Sequence, residues 1–358
     1  MNNRVNEIDL LRFFAALIVV FFHYAFRGYV VNQLTIMPYP LLAPYAKYGY
    51  LGVQLFFMIS GFVILMTAYS GSLNKFVISR MVRLYPAYWF CCTLTFIVIL
   101  AFGEPRYSAT WHQYLINLTM LQEFLGIQSI DGVYWTLIIE LRFYFFIALI
   151  LFFGKIEKIK LFMLAWLFVS VLIKYFDIRF LRNFFIIDYS YYFIAGAMYF
   201  LIWLKGLSLL RCGIAFGAWG LALTNELDVS QDFYMDYLTT INAFVILGII
   251  SIFFVLMSLI AMRKTGWIGR ANWVIIGALT YPLYLLHENI GFIIFNHGYP
   301  DISPHLLLWG TILLMLILSY LVNTLVEKRF SPYFKKFLNY CSDFLLKLMK
   351  KYNMERAN

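Results

Sequence analysis

Residues 8–26 read IDLLRFFAALIVVFFHYAF, and this stretch decides the fold class. Apart from Asp9, Arg12 and His23 it is nearly all hydrocarbon, and it is long enough to cross a bilayer as a helix. At about 100° per residue, Arg12 lies about 60° behind Asp9 and His23 about 40° behind it. The three therefore share a stripe about 60° wide on one helix face. Ionisable groups inside a membrane are costly unless they face a partner or a wet cavity, so such a stripe reads as the lining of a functional site. The blander alternative is an Asp–Arg pair at the membrane edge with one snorkelling His.

The composition extends this reading to the whole chain. It is 63% hydrophobic and 13% charged, where soluble domains are about half apolar and about a quarter charged. The expected class is all-α, a polytopic membrane protein. Ten apolar spans are expected, at roughly 7–28, 49–70, 84–102, 133–153, 160–176, 184–204, 207–224, 241–262, 272–296 and 306–326. The division is a membrane domain over 1–326 and a basic amphipathic cytoplasmic tail over 327–358. The tail alternates basic and apolar residues at helical spacing, as a helix lying on anionic lipid would.

The net charge of +10 does not imply a nucleic-acid partner, because it sits in short loops and the tail. With the N-terminus inside, the inner segments carry 20 Lys and Arg, including Arg4, and the outer segments carry six. That bias predicts a cytoplasmic (inner) membrane protein with both termini cytoplasmic. The acids at Glu226, Asp228, Asp232 and Asp236 then fall in an outer loop. The four cysteines have no metal-cage spacing, and no metal is expected. The first span, broken by Asp9 and Arg12, is not expected to be a cleavable signal.

Depth along the helices suggests where chemistry gathers. His23 should lie about 24 Å in from the inner surface and Glu140 about 10 Å in from the outer surface, at 1.5 Å per residue. A His–Glu pair at one depth suits general base catalysis. Trp135 lies near the start of Glu140's span. The ninth span, containing LTYPLYLLHENIGF, brings Tyr281 and His287 toward the same region as candidates for an acceptor site, with Glu288 following. Its Pro282 should kink the helix and free carbonyls near a cavity. On the inner side Arg80 and Arg83 are one turn apart at the mouth of the third span, a spacing that suits phosphate. Gly49, Gly52 and Gly61, with Ser60, permit close helix approach or passage of a thin ligand. Arg12 and His23 are separated by about 16 Å along one helix face. A ligand with a phosphate-rich head inside and a long thin reactive arm would span that gap, and acyl-coenzyme A has that shape.

These motifs, in order, resemble acyltransferase family three, the bacterial membrane O-acyltransferases. The carrying residues are Asp9-Leu10-Leu11-Arg12, His23, GVQLFFMISGF at 52–62, Arg80-x-x-Arg83 followed by LYPAYW, YWTLIIELRFY at 134–144 and YPLYLLH at 281–287. The resemblance implies ten transmembrane helices, acetyl-CoA as a cytoplasmic co-substrate and a hydroxyl acceptor on a surface carbohydrate or glycolipid. It points to the Arg12–His23 and Arg80–Arg83 pairs as functional. Thr136 stands where the family usually has Ser. An appended esterase-like domain is not expected, so one chain is expected to receive and deliver the acyl group.

The expected function is therefore O-acetylation of a polysaccharide or related acceptor by a membrane acyltransferase. His23, Glu140, Asp9 and Arg12 are the expected catalytic group, and Arg12, Arg80 and Arg83 the expected donor-binding group. Direct transfer and a covalent acyl-His both remain open. A proton-coupled transporter or a non-catalytic export subunit is the alternative, although no inverted repeat is visible.

Overall fold

The computed structural model describes residues 5–31, 34–69 and 71–357, with side chains to residue 348. Arg4 and the side chains of the last tail residues lie outside the described part. Among the described residues there is no strand, and eleven helices have 17 residues or more. They are α1 (Asn6–Phe22), α2 (Gly52–Tyr69), α3 (Leu73–Phe102), α4 (Trp135–Phe152), α5 (Ile159–Phe176), α6 (Ile187–Lys205), α7 (Leu209–Tyr237), α8 (Ala243–Ala261), α9 (Val274–Gly298), α10 (Pro304–Leu321) and α11 (Lys328–Ala357).

The all-α, polytopic membrane class follows from these helices. Eight spans among the described residues are long and apolar enough to cross a bilayer. The expected seventh and ninth spans correspond to α7 and α9, which are long helices outside that apolar group. Both carry polar residues that dilute their hydropathy: Glu226 and three Asp on α7, His287 and Glu288 on α9.

Local chemistry sets the helix ends. Ser208, Asn242 and Ser303 cap α7, α8 and α10 by accepting from backbone N–H groups in the first turn. Glu7 and Asp9 sit in the first turn of α1, where the helix dipole favours anions. Beyond Phe22 the same helix widens into a π turn over His23–Arg27, closed by Gly28 N–H donating to the His23 carbonyl. Such π turns are rare and often mark functional sites.

Two pairs of helices make the scaffold. α2 crosses α6 very closely. Gly61 rests against the Phe193 carbonyl and Gly196 against the Met58 carbonyl, so a Cβ at either would collide with backbone. α1 packs between α2 and α9, and α9 also packs on α3 and α10. The polar stripe of α1 is thus enclosed by helices rather than by lipid.

Three boundaries differ from the sequence reading. α3 begins at Leu73, so Arg80 and Arg83 lie inside the helix rather than at its mouth. α7 runs on to Tyr237, so Glu226 and the acids after it are helical, not a loop. α10 passes through a π turn, Val322–Glu327, directly into α11. α11 then lies along α3, where Phe334 meets Trp89 at 5.3 Å between ring centroids.

Candidate active site

Three cavities meet around α1. One, about 150 Å³, is lined by Arg12, Ser60, Arg80, Arg83, Glu140 and Tyr281 among others. A second, about 540 Å³, shares Arg12, Arg83 and Val63 with it and also touches Asp9. A third, about 290 Å³, holds His23, Arg27, Trp135 and Glu288, and shares Val53 and Tyr284 with the first. Adjoining cavities that share wall residues thus lie at both Arg12 and His23.

At the arginine end, Arg83 Nη1 lies 3.3 Å from Glu327 Oε1, and its guanidinium sits over the Tyr281 ring at 5.6 Å. Arg80 donates from Nη2 to the hydroxyls of Thr67 (3.1 Å) and Ser79 (3.2 Å). Its buried Nε has no partner, and it forms no ion pair among the described residues. Arg80 is thus a guanidinium neutralised by no neighbouring carboxylate, as an anion site requires. Arg12 is half-buried, within electrostatic range of Arg83, Glu140 and Asp9. Asp9 packs against Gly277 of α9, where the missing side chain makes room for its carboxylate.

Glu140 also belongs to this end. Its Oε1 accepts from Ser60 Oγ at 2.8 Å and from the Tyr144 hydroxyl at 2.9 Å. The carboxylate beside His23 is Glu288, with Oε1 3.7 Å from His23 Nε2. The expected His23–Glu140 pairing is corrected accordingly. Depth counting took the start of the fourth span as the membrane surface. Instead Asp131, Val133 and Tyr134 are buried at that point, and Gly132 lies directly against the Glu288 carboxylate. Gly132 is therefore the residue level with Glu288, and Glu140 follows about 12 Å further along, at 1.5 Å per residue.

The His23 surroundings fix its tautomer. His287 Nδ1 faces two carbonyls, Tyr284 O at 2.9 Å and Leu283 O at 3.2 Å, so it carries the proton. His287 Nε2 is then an acceptor, 3.1 Å from His23 Nδ1. His23 Nδ1 also faces the Val19 carbonyl at 2.9 Å. With acceptors on both sides, Nδ1 holds the His23 proton and Nε2 keeps its lone pair. The His23 side chain lines the 290 Å³ cavity, and Nε2 is its basic atom.

Glu288 is itself held from two sides. Arg27, one turn after His23, donates from Nη1 to Glu288 Oε1. The preceding loop is tied down by Asp131, whose Oδ1 accepts from Val133 N (3.2 Å) and Oδ2 from Asn289 N (3.1 Å). The Tyr24 hydroxyl donates to the His287 carbonyl at 2.6 Å. His287 lies behind His23 rather than on the cavity wall, while Trp135 lines the His23 cavity and Tyr281 lines the arginine cavity. Thr136 Oγ1 meets the Tyr284 hydroxyl at 2.9 Å, at the wall common to both.

Nothing in the sequence reading gives Arg27, Asp131 or Glu226 a role at the site, and it expects Glu288, with His287, near the His23 level only as an accessory of the acceptor site. Arg27 is four residues past His23 and so shares its face, a signal that was available. Gln54 gave none.

A family model described as an acyltransferase domain, acyltransferase family three, matches residues 5–324. A protein of Acidianus two-tailed virus, whose name proposes an acetyltransferase, is 31% identical over 160 residues, covering 44% of each chain. Nodulation protein 10 of Rhizobium leguminosarum bv. viciae is 28% identical over 169 residues, covering 41% of this chain and 44% of that one. The chain thus matches less than half the length of these curated relatives. No solved structure matches it significantly.

Proposed function

The chain belongs to acyltransferase family three, and from that premise we propose that it is a membrane O-acyltransferase using acyl-coenzyme A, with acetyl the simplest group. The observation that carries the reading is the run of adjoining cavities from Arg12, Arg80 and Arg83 to a histidine whose Nε2 is held as a free base. Arg80 and Arg83 take coenzyme A phosphates as charge-assisted contacts. The pantetheine arm extends past Arg12 and Glu140 toward the neck at Val53 and Tyr284. Asp9 and Glu140 keep Arg12 charged and oriented on that path.

In the His23 cavity an acceptor hydroxyl gives its proton to His23 Nε2 as its oxygen attacks the thioester carbonyl. The tetrahedral intermediate collapses with cleavage of the C–S bond. The departing thiolate takes the proton back from Nε2, leaving an ester and free coenzyme A. Glu288 stabilises the transient imidazolium by charge, in the role first expected of Glu140. His287 and Val19 hold Nδ1, so that Nε2 rather than Nδ1 does the work. The basic inner segments favour both termini on the cytoplasmic side of the inner membrane, with coenzyme A entering at the arginine end. The tail of α11, and its basic residues, suit contact with anionic lipid on that side.

A surface carbohydrate or glycolipid is the proposed acceptor. Mass analysis of surface glycans from cells with and without the protein tests this, with His23→Ala as the second comparison. The expected result is an acyl group present only with the intact protein. Identical glycans, together with no consumption of acetyl-CoA by the purified chain, would remove the assignment.

A further inference from the structure

The His23 cavity has a second polar wall that the transfer step leaves unused. Glu226 of α7 is 1% exposed and Gln54 of α2 is 6% exposed, and both line this cavity. Glu226 Oε1 accepts from Gln54 Nε2 at 3.1 Å and from the Tyr192 hydroxyl at 2.9 Å. Its other oxygen, Oε2, has no hydrogen-bond partner among the described residues. Gln54 Oε1 has none either, and the Tyr50 hydroxyl, which lines the same cavity, lies within interaction range of the Glu226 carboxylate. A buried acceptor left unmade costs about 1–3 kcal/mol, so two such acceptors, Glu226 Oε2 and Gln54 Oε1, on one cavity wall are a costly arrangement for structure alone. They are complementary to a ligand that brings several hydroxyls.

The rest of the cavity suits the same ligand. Trp135 and Tyr189 line it with ring centroids 5.6 Å apart, offering flat apolar faces beside the polar wall. A sugar ring presents that combination, with C–H groups on one face and hydroxyls around its edge. A simple alcohol or an alkyl chain would leave both Glu226 Oε2 and Gln54 Oε1 unsatisfied.

The geometry points to Glu226, Gln54 and Tyr50 as the subsite that selects a polyhydroxylated, uncharged ring as acceptor. Glu226 Oε2 and Gln54 Oε1 accept from hydroxyls that do not react, and this places a further hydroxyl at His23 Nε2. The inference rests on the transferase reading and narrows its substrate to sugars with at least two free hydroxyls beside the reacting one.

The test uses the purified full chain with acetyl-CoA and three acceptors: methyl β-glucopyranoside, 1-butanol and ethanolamine. The glucoside should be preferred over both others. Glu226→Gln turns an acceptor into a donor and should raise the KM for glucoside about tenfold, the equivalent of one lost hydrogen bond, with kcat and the butanol reaction little changed. Gln54→Leu supplies a second variant if the first folds poorly. Protection of His23→Ala protein against thermal unfolding by glucoside reads binding without turnover.

Glucoside transfer and protection that survive both Glu226→Gln and Gln54→Leu would overturn the subsite while leaving the transferase reading intact. Preference for ethanolamine, or absence of any protection by glucoside, would overturn it too. Protection that depends on Glu226 in a protein that transfers acetyl to nothing would uphold the subsite and remove the transferase reading instead.

Discussion

Glu288→Gln separates the two carboxylates that could serve His23. Glu288 Oε1 lies 3.7 Å from His23 Nε2, and at an effective dielectric of 20 the attraction for a full imidazolium charge is about 4 kcal/mol. Arg27 shares the same oxygen and repels the imidazolium, so about half of that is a fair lower figure. A loss of about 2–4 kcal/mol in the transition state lowers kcat about 30- to 1,000-fold. The KM for acetyl-CoA should hardly move, because the donor phosphates are proposed to bind at the arginine end.

Stability enters the same experiment. Glu288 is buried and Arg27 keeps 27% of its side chain exposed, so removing the carboxylate strands a guanidinium that water can partly reach. Breaking a fully buried pair costs about 3–5 kcal/mol, and the exposure reduces that. Arg27→Gln combined with Glu288→Gln removes both charges, and should restore abundance without restoring kcat. Transfer of labelled acetyl from acetyl-CoA to glucoside, normalised to folded protein, reads both effects. A double variant with wild-type kcat would show that Glu288 serves only Arg27, and the argument for imidazolium stabilisation would fail.

His23→Ala should abolish transfer while membrane insertion persists, since Ala cannot take a proton; near wild-type acylation at normal abundance would exclude His23 from the mechanism. Arg80→Ala with Arg83→Ala should weaken coenzyme A binding tenfold or more, from two charge-assisted contacts at roughly 1.5–3 kcal/mol each, and unchanged affinity in detergent would remove the phosphate role. Glu140→Gln can still accept from Ser60 and Tyr144, yet it withdraws a charge near Arg12. It should therefore lower abundance or raise the donor KM, with kcat at saturating donor within about threefold, and a thousandfold fall in kcat at normal abundance would return Glu140 to the chemical step. His287→Leu removes one of two acceptors for His23 Nδ1 and leaves the Val19 carbonyl, so a loss near tenfold is expected rather than inactivation.

The sequence carried the fold class well because hydrocarbon length is a local property. It carried the stripe of Asp9, Arg12 and His23 for the same reason: all three lie on one helix, and periodicity fixes their common face. Relations between helices were less legible. Composition and residue count say which way a side chain points around its own axis, but not how far one helix is displaced along another. Glu140 and Glu288 are the example. A depth for the first follows only if the span start is taken as the membrane surface, whereas at that start Asp131, Val133 and Tyr134 are buried and Gly132 lies against the Glu288 carboxylate. Glu226 failed differently. Four acids after an apolar run resemble a solvated loop, and only the continuation of α7 brings the first of them against Gln54 and Tyr192.

The misplaced carboxylate has a consequence for how the two ends of the site divide the labour. With Glu140 beside His23, one cavity would carry both donor recognition and proton transfer. With Glu140 hydrogen-bonded to Ser60 and Tyr144, each end has its own acid: Glu140 among the arginines, and Glu288 between Arg27 and His23. Val53 and Tyr284 line both cavities, and under the proposed function that shared wall is where the thioester would meet the acceptor hydroxyl. Substitutions at the arginine end should act mainly on the donor KM, and those around His23 mainly on kcat or acceptor choice. A single variant at either end that changed all three together would argue for one undivided site.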